Sequence, residues 1–296
     1  MLERDWPLVC VSCGGRLASE SNALRCDGCA ATYPIRDGVP VVLPARPAEQ
    51  KEQQAAFFDG SLDDEFELER PSGAPPLYEW LLTEKFHRSV ANLALQGLTA
   101  LAVCGGSGMD AEFLARAGAR VISSDISLGA AWRTRERGQR HGVAIDVIVA
   151  DAERLPFPDR SIDIVYVHDG LHHLERPLDG LAEMARVARR AVCVTEPARA
   201  AATRLAVRLG LALEREEAGN RVARLGVEEV VAALRARGFR VVRAERYAMY
   251  YRHEPGRAVR LLSAPGAFAV ARAGFRAANL LVGAGGNKLV GVAVRP

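Results

Sequence analysis

The chain has 296 residues, 49% hydrophobic and 25% charged, which excludes disordered, collagen-like and coiled-coil classes and leaves room for a large core. Its net charge of +3 comes from 39 Lys and Arg against 36 Asp and Glu; all the cations except Lys51, Lys85 and Lys288 are Arg, and no long basic run marks a nucleic-acid surface. No apolar run reaches the roughly 18 residues of a membrane-spanning helix, and acidic residues stand where a signal peptide needs a basic start, so a cytoplasmic location with reduced cysteines is expected.

In chain order, residues 1–45 come first. Cys10 with Cys13 and Cys26 with Cys29 form two C-x-x-C pairs. Two residues between thiolates let a tight turn aim both sulfurs at one ion, and Gly14, Gly15 and Gly28 permit the turns. The four sulfurs complete a tetrahedral set with no position open to water, so a structural Zn2+ is expected rather than a redox pair or an iron–sulfur centre. TYPIRDGVPVVLP comes after the second pair, and its pattern broken at Asp37-Gly38 predicts strand, turn and strand. Residues 10–44 resemble the small zinc-ribbon proteins that partner and activate tRNA and protein methyltransferases, in the C-x-x-C pairs and the YPI-x-DG-x-P ending. Such ribbons bind RNA, bind a protein or stabilise a neighbouring domain, and a domain boundary is expected after this one.

Residues 46–96 join the ribbon to that domain. PARPAEQKEQ has linker composition, and the acidic run over 59–69 reads as a solvated face that counts against RNA. Over residues 77–95, Tyr78, Leu82, Phe86, Val90 and Leu93 recur at helical spacing and predict an amphipathic helix.

Residues 98–103 predict a strand ending in CGGSGMD, 111–119 a helix, and 120–124 a second strand closed by Asp125. Gly106 and Gly108 allow the backbone close to a ligand, and Asp125 stands where a carboxylate holds ribose hydroxyls. Gly106-Ser107-Gly108-Met109-Asp110-Ala111 also satisfies the dinucleotide fingerprint in its Ala-ended form, so a nicotinamide enzyme stands as an alternative. The helix opens with Asp110 and Glu112 and has no basic residue before Arg116, which suits a cationic amino acid better than a pyrophosphate. Residues 146–149 and 162–167 predict third and fourth strands, the latter ending at His168 and Asp169. A helix over 175–190 turns Leu178, Leu181, Met184 and Val187 toward the sheet, and 191–195 forms a fifth strand before Glu196.

The stretch over 101–197, with ADAERLPFPDRSIDIVYVHDGLHHL at its centre, resembles the class I S-adenosylmethionine-dependent methyltransferases of the LHHL branch. That resemblance implies an α/β fold: a Rossmann-like sheet with helical insertions, here joined to a small N-terminal β zinc ribbon. It places Asp125 on the ribose, Asp151 and Ala152 at the adenine edge, and Gly106, Ser107 and Gly108 along the methionine moiety. Asp110, Ile126 and His168 complete the candidate cofactor set. The sequence departs from the family at Ala102, where an acidic residue is usual, and at Cys104, where glycine is usual. Cys104 and Cys193 read as small buried residues without chemistry.

Methyl transfer to a hydroxyl needs in-line positioning and a base. His168, His172 and His173 come after the fourth strand at the ligand-binding edge of such a sheet. By resemblance to O-methyltransferases with an adjacent histidine pair here, His172 or His173 is the candidate base and Glu196 its orienting group. A packing or capping role is the alternative for each. The D/N-P-P-[YF] signature of nucleobase amino methylation is absent.

Residues 198–226 read as a helical insertion over the site, and 255–286 as a second one. The latter carries Leu261, Leu262, Phe268, Val270, Phe275, Leu280 and Leu281 among arginines and reads first as packing, with an apolar-substrate pocket or a membrane-surface patch as alternatives. Residues 239–245 and 288–294 predict the closing antiparallel strands of a domain spanning 97–296. The expected function is S-adenosylmethionine-dependent methylation, at oxygen, of a small-molecule or lipid-like intermediate of specialised metabolism. Methylation of rRNA or tRNA and a non-catalytic cofactor-binding activator are the rivals.

Overall fold

The computed structural model describes residues 5–46, 48–60, 64–90, 93–208, 214–215, 219 and 222–296. Four short strands come first: β1 (Leu17–Glu20), β2 (Ala23–Cys26), β3 (Thr32–Arg36) and β4 (Val39–Val42), an antiparallel meander. The β3–β4 turn places Asp37 and Gly38 at φ 48° and 80°, the two positive values that a tight hairpin turn requires.

Three helices lead to the main sheet: α1 (Glu49–Gly60), α2 (Asp64–Glu69) and α3 (Pro76–Val90). The sheet and its crossovers then run as β5 (Thr99–Val103), α4 (Met109–Arg116), β6 (Arg120–Asp125), α5 (Leu128–Arg140), β7 (Ile145–Ala150), β8 (Ile162–His168), α6 (Pro177–Val187) and β9 (Ala188–Pro197). The chain ends with α7 (Ala201–Arg208), α8 (Val227–Ala236), β10 (Arg240–Tyr247), α9 (Arg257–Leu261), α10 (Pro265–Val282) and β11 (Lys288–Val294). Strand order is β1-β2-β3-β4-β7-β6-β5-β8-β9-β11-β10, parallel from β4 through β9 and antiparallel at both flanks. The parallel sheet and closing antiparallel pair expected from the sequence are present.

Alternation along each central strand builds two cores. Leu101, Val103, Ile122, Val165 and Val192 face α6 and α8, whereas Ala100, Ala102, Val121, Ile164 and Tyr166 face α3 and α4. On the first side the core runs on without a break into the ribbon through Trp6, Cys10 and Tyr33.

Several sequence expectations change. The ribbon joins the sheet directly, which the sequence did not show: β4 pairs in parallel with β7 at Val41 with Val149 and Val42 with Ala150, and Trp6 Nε1 donates to Asp146 Oδ2 at 2.8 Å. The linker-like stretch contains α1, which lacks an apolar stripe and buries only Gln54 among its described residues, so periodicity could not reveal it. The acidic run is not wholly a solvated face. Glu67 is buried against Arg70 at 3.0 Å, and Asp59 Oδ1 accepts from Ser127 Oγ and Gly129 N at the start of α5. Leu178 is 41% exposed while Leu181, Met184 and Val187 pack, because α6 turns a narrower face to the sheet. The second insertion is only partly packing: Phe268 and Phe275 lie against the core, but Val270, Leu280 and Leu281 do not. The insertion over 198–226 falls partly outside the described residues; within it, Thr203, Val222 and Arg224 border a large cavity at the sheet edge.

Candidate active site

This cavity, of about 910 Å3, opens at the carboxyl ends of the parallel strands, where open α/β sheets take their ligands. It has two halves.

The first is the glycine turn after β5. Cys104, Gly106 and Gly108 all have positive φ, at 52°, 53° and 83°, so the cysteine occupies a left-handed conformation that glycine adopts without strain. A Cβ on Gly105 would lie 2.0 Å from Ser123 Oγ, and one on Gly108 would lie 2.8 Å from Thr134 Cγ2, so the backbone here approaches its neighbours as no larger residue could. Gly106 and Ser107 border the cavity; Gly108 stands behind them as the residue before α4. Asp125 closes β6 with Oδ2 accepting from Gly106 N at 2.9 Å and Oδ1 from Ser127 N at 3.0 Å. Asp125 and Ile126 both border the cavity, and a carboxylate with two such donors has acceptor capacity left for a ligand. Burial raises the Asp125 carboxyl against the lowering effect of those backbone donors.

Asp110, in the first turn of α4, also borders the cavity. Its Oδ1 meets His168 Nδ1 at 2.8 Å and accepts from Tyr166 Oη at 3.1 Å. Burial pushes this carboxyl up to about 6 against the opposing charge of Lys85. Asp151 and Ala152 lie on the far wall, but Asp151 Oδ2 accepts from Lys51 Nζ at 2.6 Å and its Oδ1 from Glu153 N at 2.9 Å. The turn is not free of cations, as the sequence suggested: Arg133 of α5 donates from Nε to Ser107 Oγ at 3.2 Å. That guanidinium is engaged with protein groups, including the Phe58 carbonyl.

The second half lies beyond β8 and β9. Glu196 is fully buried; its Oε1 accepts from Gly170 N and Leu171 N at 2.8 and 2.7 Å, and its Oε2 lies 2.8 Å from His172 Nδ1. The backbone thus fixes the carboxylate and the carboxylate fixes the ring. With Nδ1 donating to Glu196, a neutral His172 carries its lone pair on Nε2. His173 stacks on His172 with centroids 4.2 Å apart and meets Phe58 of α1 edge-on at 5.7 Å.

The same half contains Asp169, at φ 50°. Its Oδ2 accepts from Lys85 Nζ at 2.5 Å and Lys288 Nζ at 2.6 Å, with Tyr251 Oη at 3.3 Å, while its buried Oδ1 has no hydrogen-bond partner among the described residues. Burial opposes ionisation here, yet the two ammonium groups hold the carboxyl well below the usual carboxylate range. Asp169, His172 and Glu196 bring ligand-type atoms together, but Glu196 is spent on backbone donors and His172, and two lysines already neutralise Asp169, so this set does not fit a metal ion. Burial, together with Asp125 and Glu196, raises the Cys104 thiol well above its ordinary value, and burial raises Cys193 to about 12; neither is a thiolate at neutral pH.

In the ribbon, Cys10 Sγ lies 3.7 Å from Cys29 Sγ, and Cys13 Sγ 3.4 Å from Cys26 Sγ. These approach the ~3.8 Å edge of a tetrahedron with zinc–sulfur bonds of about 2.3 Å. Backbone N–H groups of Ser12, Gly15 and Gly28 donate to the sulfurs of Cys10, Cys13 and Cys26. A Cβ on Gly15 would sit 2.9 Å from Cys26 Sγ, so the glycine clears the cage. The donor set and its spacing fit zinc.

Residues 101–193 match the family described as "Methyltransferase domain". The fold is that of a methyltransferase. It resembles magnesium protoporphyrin IX methyltransferase from Synechocystis PCC 6803, a structure with bound SAH, at TM-score 0.57 and 16% identity over 84% of this chain and 100% of that one. The YcgJ protein of Bacillus subtilis is similar at TM-score 0.51 and 16% identity, over 73% of this chain and 98% of that one. In sequence, the demethylmenaquinone methyltransferase of Renibacterium salmoninarum is 38% identical over 107 residues, 36% of this chain and 44% of that protein. That of Thermobifida fusca is 36% identical over 98 residues, 32% of this chain and 40% of that protein. The chain therefore matches less than half the length of these curated relatives.

Sequence reasoning gave Lys51, Lys85, Lys288 and Asp169 no role at the site. One signal was present: the chain has three lysines in all, and each ends on a carboxylate of this cavity. A compact ammonium fits where a planar guanidinium would not.

Proposed function

We propose that the protein transfers a methyl group from S-adenosylmethionine to a hydroxyl oxygen of a small, lipid-like acceptor. The observation that carries this reading is one cavity holding a ribose-type carboxylate, Asp125, on one side and the buried His172–Glu196 pair on the other. When bound, S-adenosylmethionine supplies an electrophilic methyl on a sulfonium. Asp125 receives the ribose hydroxyls, Asp110 the ammonium of the methionine moiety, and Gly106 with Ser107 the adjoining backbone contacts. Asp151 and Ala152 border the adenine, with Lys51 holding Asp151 in place, while Ile126 and His168 close the pocket.

On the acceptor side, His172 takes the hydroxyl proton at Nε2, and Glu196 stabilises the imidazolium that results. Asp169 Oδ1, buried and unsatisfied among the described residues, accepts a hydrogen bond that orients the acceptor; Lys85 and Lys288 keep it ionised. The acidic side chains that line the cavity, Asp110, Asp125, Asp151 and Asp169 among them, support a small acceptor over RNA, and the demethylmenaquinone methyltransferases among the relatives support a lipid-like one. Cys10, Cys13, Cys26 and Cys29 hold one structural zinc.

The test is to incubate the purified chain with methyl-labelled S-adenosylmethionine and bacterial lipid, RNA and protein fractions. Label is expected in an organic-soluble product; label in RNA or protein, or in none of the three, rejects the reading. Elemental analysis should find one zinc per chain.

A further inference from the structure

The second insertion carries a surface that the rest of the fold does not cover. One side of α10 packs toward α3 through Phe268 and Phe275, the latter edge-on to Trp80 at 5.1 Å. On the other side Val270, Leu280, Leu281 and Val282 are 73%, 88%, 84% and 60% exposed. Among the exposed positions of α10, only Arg276 is charged; the others are apolar, Ala, Gly or Pro. Before it, Leu261 and Leu262 stand exposed beside exposed Arg257 and Arg260. A surface helix ordinarily turns its polar face outward, and a contiguous apolar patch of this kind marks an interface.

Two observations choose the occupant. The first is charge: no Asp or Glu occurs after Glu254, and exposed Arg257, Arg260 and Arg276 lie within the insertion, whereas Arg272 turns inward over the Trp80 and Phe268 rings. A second copy of the chain would bring this patch against itself and set Arg257 and Arg260 together with no carboxylate of the insertion between them, since Glu228 and Glu245 lie only at the Arg276 end of the patch. An anionic lipid surface supplies both the counter-charge and the apolar layer. The second is place, because both stems of the insertion border the cavity, Tyr250 and Tyr251 on entering and Asn287 and Lys288 on leaving. No helix among the described residues is long and apolar enough to cross a membrane, so this one would lie along it.

We infer that α9 and α10 seat the protein on the surface of an anionic lipid bilayer, with Leu261, Leu280 and Leu281 in the acyl boundary and Arg257, Arg260 and Arg276 at the lipid phosphates. That an acceptor then enters the cavity from the bilayer rests on the proposed function; the seating itself does not.

Co-sedimentation of the full chain with phosphatidylcholine vesicles, with and without phosphatidylglycerol, tests the inference. Binding should be at least about tenfold tighter on the anionic vesicles. The double variant Leu280→Asp, Leu281→Asp should bind them at least about tenfold more weakly, with thermal melting and S-adenosylhomocysteine binding unchanged, since both side chains are exposed. Three outcomes would each overturn it: no sedimentation of the parent with anionic vesicles, equal sedimentation of parent and variant, or a parent that light scattering shows to be a dimer and a variant that is monomeric.

Discussion

The two halves of the cavity are built differently. The cofactor half comes from consecutive strand ends and their turns, Gly106 after β5, Asp125 at the end of β6 and Asp151 after β7, so its residues are fixed by backbone that the sheet already holds. The acceptor half is assembled from distant parts: Lys85 lies 84 positions from Asp169, and Lys288 lies 119 positions from it. One half arises mainly from the topology of the sheet, with Lys51 reaching Asp151 from α1 as a distant charge; the other depends on charges that only the complete fold brings together.

That contrast can be broken by substitution. The largest effect belongs to His172: replacement by Ala should lower turnover by roughly 10²–10⁴-fold while calorimetry finds S-adenosylhomocysteine affinity nearly intact. A variant that loses both together would mark His172 as a packing residue. Next, Asp125→Ala should weaken S-adenosylhomocysteine by about tenfold or more, the loss of roughly 1.5–3 kcal/mol of charged hydrogen bonding. Its melting temperature should stay near that of the parent if the cofactor half is held by the sheet.

Lys288→Met probes the other half. Asp169 then keeps one ammonium instead of two, and stability at neutral pH should fall by about 1–3 kcal/mol, read by urea denaturation. Linkage gives the sign. A carboxyl held below its unfolded value contributes stability above that value and loses it as pH falls, so parent and variant should converge in acid. The smallest effect concerns Asp110. Its carboxyl, raised to about 6, makes the folded apo protein favour the proton, so apo stability should decline as pH rises from about 4 to about 6 and then level. A cationic cofactor needs the ionised form, so calorimetry should show affinity rising several-fold between about pH 5 and about pH 7. Asp110→Asn should flatten that rise.

The sequence made the sheet and the cofactor half readable because both rest on local pattern. Apolar runs end in glycines or carboxylates at fixed offsets, and paired cysteines declare their own geometry. The element α1 escaped notice because its helix serves as a cover: Lys51 and Gln54 face inward and carry no hydrophobic period. The acceptor half was legible in its histidines, which lie just past a strand, and illegible in its lysines, whose partners lie across the chain. The outward leucines of α10 were visible as residues but not as a surface, because periodicity cannot tell which face of a helix meets a neighbour.

The pairing of β4 with β7 has a consequence for synthesis. Val41 leaves the ribosome about a hundred residues ahead of Val149, its partner in the sheet, an interval of roughly 5–20 s at ordinary elongation rates. During that wait the ribbon presents β4 as an open edge, shaped in advance if its sulfurs have captured their ion. Metal supply would then act as a timing signal: a nascent chain short of zinc reaches β7 with its docking strand unformed and its apolar edge uncovered.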